Sequence, residues 1–233
     1  MRTRTAYGCQ VATTEERARL SRETVVDGAL ALTDAEGLEG LTIRRLAQHL
    51  GVTPMALYWH FKNKDELLDG VADRLWSLID TDVDHSLPWV ERLRALMGSM
   101  VDVLRAHPPA ASLLVTTQPD DAEHCFDIME VALAIFADAG FSPAQSAALV
   151  KHGLRTIITL AVGDPGLTPK HSEAEAAEFV RRKRVHLASL SCTRYPHVVE
   201  AAGPLTDIAD PMMSFGFGID LFIAGVEALA PRD

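Results

Sequence analysis

The sequence predicts an all-α fold on three observations. Segments whose apolar residues recur at spacings of three and four are punctuated by Pro and Gly, capping signals stand where those segments begin, and no run of alternating apolar residues calls for a strand. The expected architecture is an N-terminal three-helix head containing a helix-turn-helix, joined by a fourth helix to a larger helical domain.

Ser21 can cap a first helix through Val25, Val26, Ala29, Leu30 and Leu32, which Gly37 would end in the left-handed cap position. Thr42 caps a second, ending at Gly51. Its apolar face is Ile43, Leu46, Ala47 and Leu50, which leaves Arg44, Arg45 and Gln48 outward. Thr53 with Pro54 at the first helical position starts a third only two residues after Gly51. Two short helices joined by so tight a Gly-containing turn predict a helix-turn-helix over about 42–61. Asn63 and Glu66 then predict a capping box for a fourth helix through Leu67, Leu68, Val71, Ala72, Leu75 and Trp76, running to about residue 80.

The remainder reads as helices over about 88–107, 109–116, 121–139, 143–162, 173–190 and 211–229. Ser142-Pro143 and Asp210-Pro211 pair an N-cap with a proline at the first helical position, and Ser86-Leu87-Pro88 is a similar signal. Residues 163–172 and 191–210 read as irregular. The division is therefore a tail over 1–20, a head over 21–80 and a C-terminal domain over 81–233.

At 233 residues the chain can bury roughly 70% of its unfolded surface, enough for a substantial core. No apolar run reaches the ~18 residues of a membrane span, and the first twenty positions lack the apolar stretch of a signal peptide, so the expected location is the cytoplasm. Cys9, Cys125 and Cys192 form no CxxC pair and indicate neither a disulfide framework nor a zinc site. The histidines fall into no HExxH. With no Gly-rich phosphate loop and no nucleophile elbow either, an enzyme with an incidental helix-turn-helix is the weaker reading, and no metal or cofactor is implied.

A net charge of −10 argues at first against nucleic acid. The distribution reverses that inference. Residues 1–75 carry ten Lys and Arg against eleven Asp and Glu, whereas the rest carries twelve against twenty-one. Within the first part, Arg44, Arg45, His49, His60, Lys62 and Lys64 fall in a window holding no acid. In the third helix Leu57 and Phe61 make the inward stripe with Ala56 and His60 on its flank, which turns Tyr58 and Trp59 outward. Two exposed aromatics beside lysines suit a sugar-phosphate surface, although either alone could pack on the fourth helix. His60 could instead be a neutral side chain under that helix. Lys64 opposes the macrodipole in a first helical turn, a mild cost that makes sense if an anion docks there.

The stretch "LTIRRLAQHLGVTPMALYWHFKNKDELLDGVADRL" resembles the DNA-binding head of the TetR (tetracycline repressor) family of transcriptional regulators. The pattern G-V-x-x-x-x-L-Y-x-H-F-x-[ND]-K-x-x-L is intact from Gly51 to Leu67, and Tyr-Trp-His at 58–60 resembles the tetracycline-repressor branch. The resemblance implies Thr42 as a cap facing phosphate and Arg44 as a base or phosphate contact. It puts Thr53, Pro54, Met55 and Ala56 at the start of the recognition helix, with Tyr58, His60 and Lys64 as phosphate clamps and Trp59 against the backbone or groove edge. Pro54, Met55 and Ala56 are small or apolar where polar side chains are common in tetracycline repressors, so base reading would rest on thymine methyls and Arg44.

A head of this size reads few base pairs, so a homodimer on a palindromic operator is expected, with heads about one helical turn (~34 Å) apart. The candidate interface is the 211–229 segment, where Met212, Phe215, Phe217, Ile219, Leu221, Phe222 and Val226 wrap more than one face and Gly216, Gly218 and Gly225 would let another backbone come close. The resemblance implies that this helix pairs with the one after Ser142-Pro143 in a four-helix bundle across the dimer. It also implies a small-molecule effector, for which the candidate lining groups are Trp89, Met97, Met100, His107, His124, Phe126, Met129, Phe136, His152, Arg155 and Phe179. These could equally be ordinary core. The expected function is a ligand-released repressor; a constitutive DNA-binding protein with a solid core is the alternative.

Overall fold

A computed structural model describes residues 20–116, 122–162, 173–206 and 211–231. The tail with Arg2 and Arg4, the 163–172 loop, the Asp210 cap and the Met212 side chain lie outside the described residues. Among those described, the regular structure is helical throughout: α1 (Arg22–Gly40), α2 (Ile43–His49), α3 (Pro54–Tyr58), α4 (Lys64–Ser77), α5 (Trp89–Ala106), α6 (Pro108–Ala111), α7 (Leu113–Thr116), α8 (Glu123–Asp138), α9 (Pro143–Val162), α10 (Glu173–Ala188), α11 (Pro196–Glu200) and α12 (Pro211–Leu229).

The head is assembled by its caps. Side-chain oxygens of Ser21, Thr42, Thr53 and Asn63 accept the backbone N–H three residues on, at 3.0, 3.1, 3.3 and 2.8 Å. Each satisfies an amide that its helix leaves without a partner and fixes where the helix starts. Gly37 takes φ 75 and kinks α1, and Gly51 takes φ 67 in the turn between α2 and α3. Leu41, Leu46, Leu57, Phe61, Leu67, Val71 and Leu75 close a core beneath these turns.

Several boundaries differ from expectation: α1 continues past the Gly37 kink to Gly40 instead of ending there, and the single helix expected over 109–116 divides into α6 and α7. The third helix ends at Tyr58, because the N–H groups of His60 and Phe61 both bond to the Leu57 carbonyl, at 2.9 and 3.0 Å, and tighten the chain into the turn toward α4. Ser86 does not cap α5: its hydroxyl donates to Asp84 at 2.7 Å, and Pro88 stands at the cap without a side-chain bond. Within 191–210, read as irregular, α11 forms behind Pro196 at its first turn. The Ser142 signal is fulfilled, since Ser142 and Gln145 make a reciprocal box.

Helices α5, α8, α9 and α12 pack into the body of the molecule, and α4 runs from the head into contact with α8. Polar ties join head to body, among them the Asp80 N–H donating to Ser99 Oγ of α5 at 2.7 Å. His107 Nδ1 lies 2.7 Å from Asp34 of α1, and His124 Nδ1 lies 3.0 Å from Asp73 of α4. Arg92 is buried and donates to Asp138 at 2.8 Å, fastening α5 to α8.

Candidate nucleic-acid interface and body cavity

One face of the head collects the outward side chains of α2, α3 and the start of α4. Leu57 and Phe61 are fully buried, whereas Met55, Tyr58 and Trp59 are 68%, 49% and 85% exposed. A folded domain rarely leaves three such side chains in water without a use for them. Ala56 and His60 are half-buried on the flank, as the helical spacing requires, so His60 presents only part of its ring. Pro54 is exposed at the start of α3.

The charges on this face divide into occupied and available groups. Arg45 is held by Glu36, donating through Nε at 2.9 Å and through a terminal nitrogen; that bond holds the Glu36 carboxyl below its usual range. Arg44, Lys62 and Lys64 are exposed and pair with no acid among the described residues. Thr42 and Thr53 spend an oxygen lone pair on capping and keep their hydroxyl protons to donate.

Behind this face stands a group that sequence reading did not single out. Arg22 donates to the His60 carbonyl oxygen at 3.0 Å and to Glu66 at 3.1 Å, with its guanidinium 4.3 Å from the Phe61 ring centroid. Glu66 in turn accepts the Lys62 N–H at 2.8 Å, so the capping box closes one residue earlier than the expected cap. That bond first, and Arg22 second, hold the Glu66 carboxyl below its usual range. The turn carrying His60, Lys62 and Lys64 is thus fixed to α1.

In the body, a cavity of about 40 Å³ lies between α4, α5, α8, α9 and α12, and its wall is apolar. Trp76, Met97, Met100, Met129, Phe136 and Phe222 are among the residues that line it.

Comparison with known proteins places this geometry. The family described as "Bacterial regulatory proteins, tetR family" matches residues 25–71, and "Tetracyclin repressor-like, C-terminal domain" matches residues 85–230. The class C tetracycline repressor protein of Escherichia coli is 34% identical over 216 residues, covering 91% of this chain and 92% of its own length. The chain belongs to the tetR family.

Among solved tetR-like structures, the Streptomyces coelicolor protein ActR in complex with actinorhodin superposes with TM-score 0.80 at 28% identity, covering 92% of this chain and 99% of its own. BioQ with its double-stranded DNA operator superposes with TM-score 0.61 at 26% identity, covering 90% and 99%. The chain is thus a DNA-binding transcriptional regulator with the tetR helix-turn-helix head.

Of the residues expected to line a pocket in this tetR-type body, Met97, Met100, Met129 and Phe136 do. His107 and His124 lie instead at the head–body ties, and Phe126, Phe179, His152 and Arg155 are exposed on helix surfaces. Trp89, half-buried at the start of α5, is also outside the lining. Periodicity marks a helix face but not which neighbour covers it.

Helix α12 divides its apolar residues between two faces. Phe215, Ile219, Ile223 and Val226 are buried, whereas Phe217 and Leu221 are 70% and 64% exposed. Phe222 belongs to the inner side, where it lines the cavity and stacks on His152 with ring centroids 6.3 Å apart. Gly218 serves packing within the subunit, because a Cβ there would lie 2.5 Å from Leu160 of α9. Gly216 and Gly225 face open space.

Proposed function

We propose that the protein is a repressor that binds a palindromic operator as a homodimer and leaves it when a small molecule occupies the body cavity. The carrying observation is the outward face of the head, where Arg44, Tyr58, Trp59 and Lys64 are exposed together and no acid among the described residues neutralises Arg44 or Lys64. Arg44, with apolar contacts from Met55 and Ala56, reads base edges. Thr42, Thr53, Tyr58, His60 and Lys64 hold the phosphates, and Trp59 leans on the backbone. The phosphate contacts position the head without specifying sequence, which leaves specificity to the few base contacts around Arg44 and to the spacing of two heads.

The dimer forms on the exposed faces of α9 and α12, around Phe217 and Leu221, where Gly216 and Gly225 admit a close neighbour. The head spans 21–80 and the body 81–233. The protein carries no catalytic role and acts in the bacterial cytoplasm, where its DNA is.

Effector release follows from population shift: a ligand that binds better to the conformer with mis-spaced heads draws the dimer off DNA by as much as it prefers that conformer. The relatives' small-molecule complexes and the cavity beside α4 support this reading. The small size of the cavity favours a second reading, a constitutive DNA-binding protein. Footprinting on a palindrome selected from random DNA separates the possibilities at the head. Symmetric protection lost in the Arg44→Ala/Tyr58→Ala variant is expected; undiminished protection would remove the assigned face from DNA binding.

A further inference from the structure

We infer that Glu36 limits how tightly the head holds DNA of any sequence, by occupying Arg45 in place of a phosphate. The inference rests on the DNA-facing assignment of α2 above and adds to it a residue that works against binding.

Residues 41–64, which supply most of that face, contain no acid, so an acid that meets their cations has to come from another segment. Helix α1 brings one. Glu36 stands just before Gly37, where the helix kinks, and the last turn folds so closely over it that a Cβ on Gly40 would lie 2.7 Å from the Glu36 Cβ. The carboxylate reaches the outward side of α2 and takes Arg45 rather than its neighbour Arg44. Every nitrogen of the Arg45 guanidinium is then engaged inside the head. Nε donates to the two Glu36 oxygens at 2.9 and 3.1 Å, one terminal nitrogen also donates to Glu36, and the other donates to Gln48 Oε1 at 3.3 Å.

The planar fork that suits a carboxylate suits a phosphate equally, so Glu36 fills the place a DNA phosphate would take on Arg45. The Arg45 bond holds the Glu36 carboxyl below its usual range, which keeps the acid charged near neutral pH and the net charge of the pair at zero. Arg44 and Lys64, exposed and paired with no acid among the described residues, keep their charge for DNA. Stability gives the pair little reason to exist. Its side chains are 48% and 33% exposed, and ion pairs so placed contribute little to a fold. The same turn is already held by the buried Leu41 and Leu46. What the pair does change is the number of cations free to displace counterions from DNA, which sets the salt-dependent part of affinity. Phosphate contacts carry no sequence information, so the reduction falls on all duplexes alike.

The test is the salt dependence of binding to a duplex unrelated to the operator, followed by fluorescence anisotropy with the full-length dimer. Glu36→Gln keeps the side-chain shape and removes the charge. It should steepen the slope of log K against log salt by one contact per head, about 1.8 in all, and raise affinity at low salt by roughly tenfold or more. Arg45→Ala should leave the slope of the unaltered protein, because the charge it removes is already neutralised. The double variant Glu36→Gln/Arg45→Ala should return to that same slope. A slope unchanged by Glu36→Gln would overturn the inference. So would weaker binding of Glu36→Gln to every duplex, which would make the pair a brace for α2, and a shallower slope in Arg45→Ala, which would put Arg45 on phosphate despite Glu36. A double variant as steep as Glu36→Gln alone would assign the gain to lost repulsion and overturn the release of Arg45. Lys64→Ala separates the two levels of the claim. If it flattens the slope while Glu36→Gln does nothing, the DNA-facing surface stands and Glu36 has no hold on it; if neither variant moves the slope, the surface itself is misassigned.

Discussion

The guanidinium of Arg22, at the first position of α1, donates to the carbonyl oxygen of His60, 38 residues later, at 3.0 Å. This bond, with those to Glu66 and the stacking on Phe61, sets the angle at which the His60–Lys64 turn leaves α3. A hydrogen bond of this type contributes about 1 kcal/mol. Arg22→Ala should accordingly weaken operator binding by about fivefold. Arg22→Lys, which keeps the charge and loses the planar fork, should recover only part of it. Titration by fluorescence anisotropy checks both. Full affinity in Arg22→Ala would reduce Arg22 to a surface residue.

Phe217 and Leu221 stand on the outer side of α12 with more than half their surface in water. Charges there should separate the subunits. Phe217→Asp/Leu221→Asp is expected to sediment as a folded monomer and to lose about a hundredfold in operator affinity, because linked heads gain effective concentration. A variant that remains dimeric would move the interface elsewhere.

Acid should loosen the head. The carboxyls of Glu36 and Glu66 lie below their ordinary value near 4.5, held by Arg45 and by the Lys62 N–H with Arg22 respectively. A carboxyl whose folded value is depressed contributes stability that is present above its unfolded value and is lost as pH falls through the folded one. Urea midpoints should therefore drop below about pH 4.5, and Glu66→Gln should flatten that drop. Glu36 is exposed, so added salt should reduce its contribution. An unchanged profile in Glu66→Gln would show that its bonds do not survive in solution.

Asn63 makes a different demand on the same turn. Its side chain accepts the Glu66 N–H at 2.8 Å and starts α4. Asn63→Ala should cost about 1 kcal/mol, read as a lowered denaturation midpoint. An unchanged midpoint would show that the cap is replaced by water.

What could be read from the sequence was local in its physics. Ser21, Thr42, Thr53 and Asn63 announce helix starts because a cap bonds only three residues ahead, and Leu57 with Phe61 announces the buried stripe because four residues make a turn. Contacts between distant segments left no such mark. The Arg22–His60 bond, the His107–Asp34 and His124–Asp73 ties and the turn of Phe222 toward the cavity depend on how helices cross. Met100 and Met129 were legible as pocket residues only to the extent that Met-rich faces suit pockets. His152, Arg155 and Phe179 had the chemistry for one and face outward instead.

The central claim is that the exposed face of α2, α3 and the start of α4 neutralises DNA phosphates, and the salt dependence of operator binding tests it most directly. Each phosphate contact contributes a slope of about −0.9 to log K against log salt. Lys64→Ala should make the dimer's slope shallower by one such contact per head, about 1.8 in all. A slope identical to that of the unaltered protein would contradict the account, leaving Lys64 a bystander and the phosphate-facing surface elsewhere.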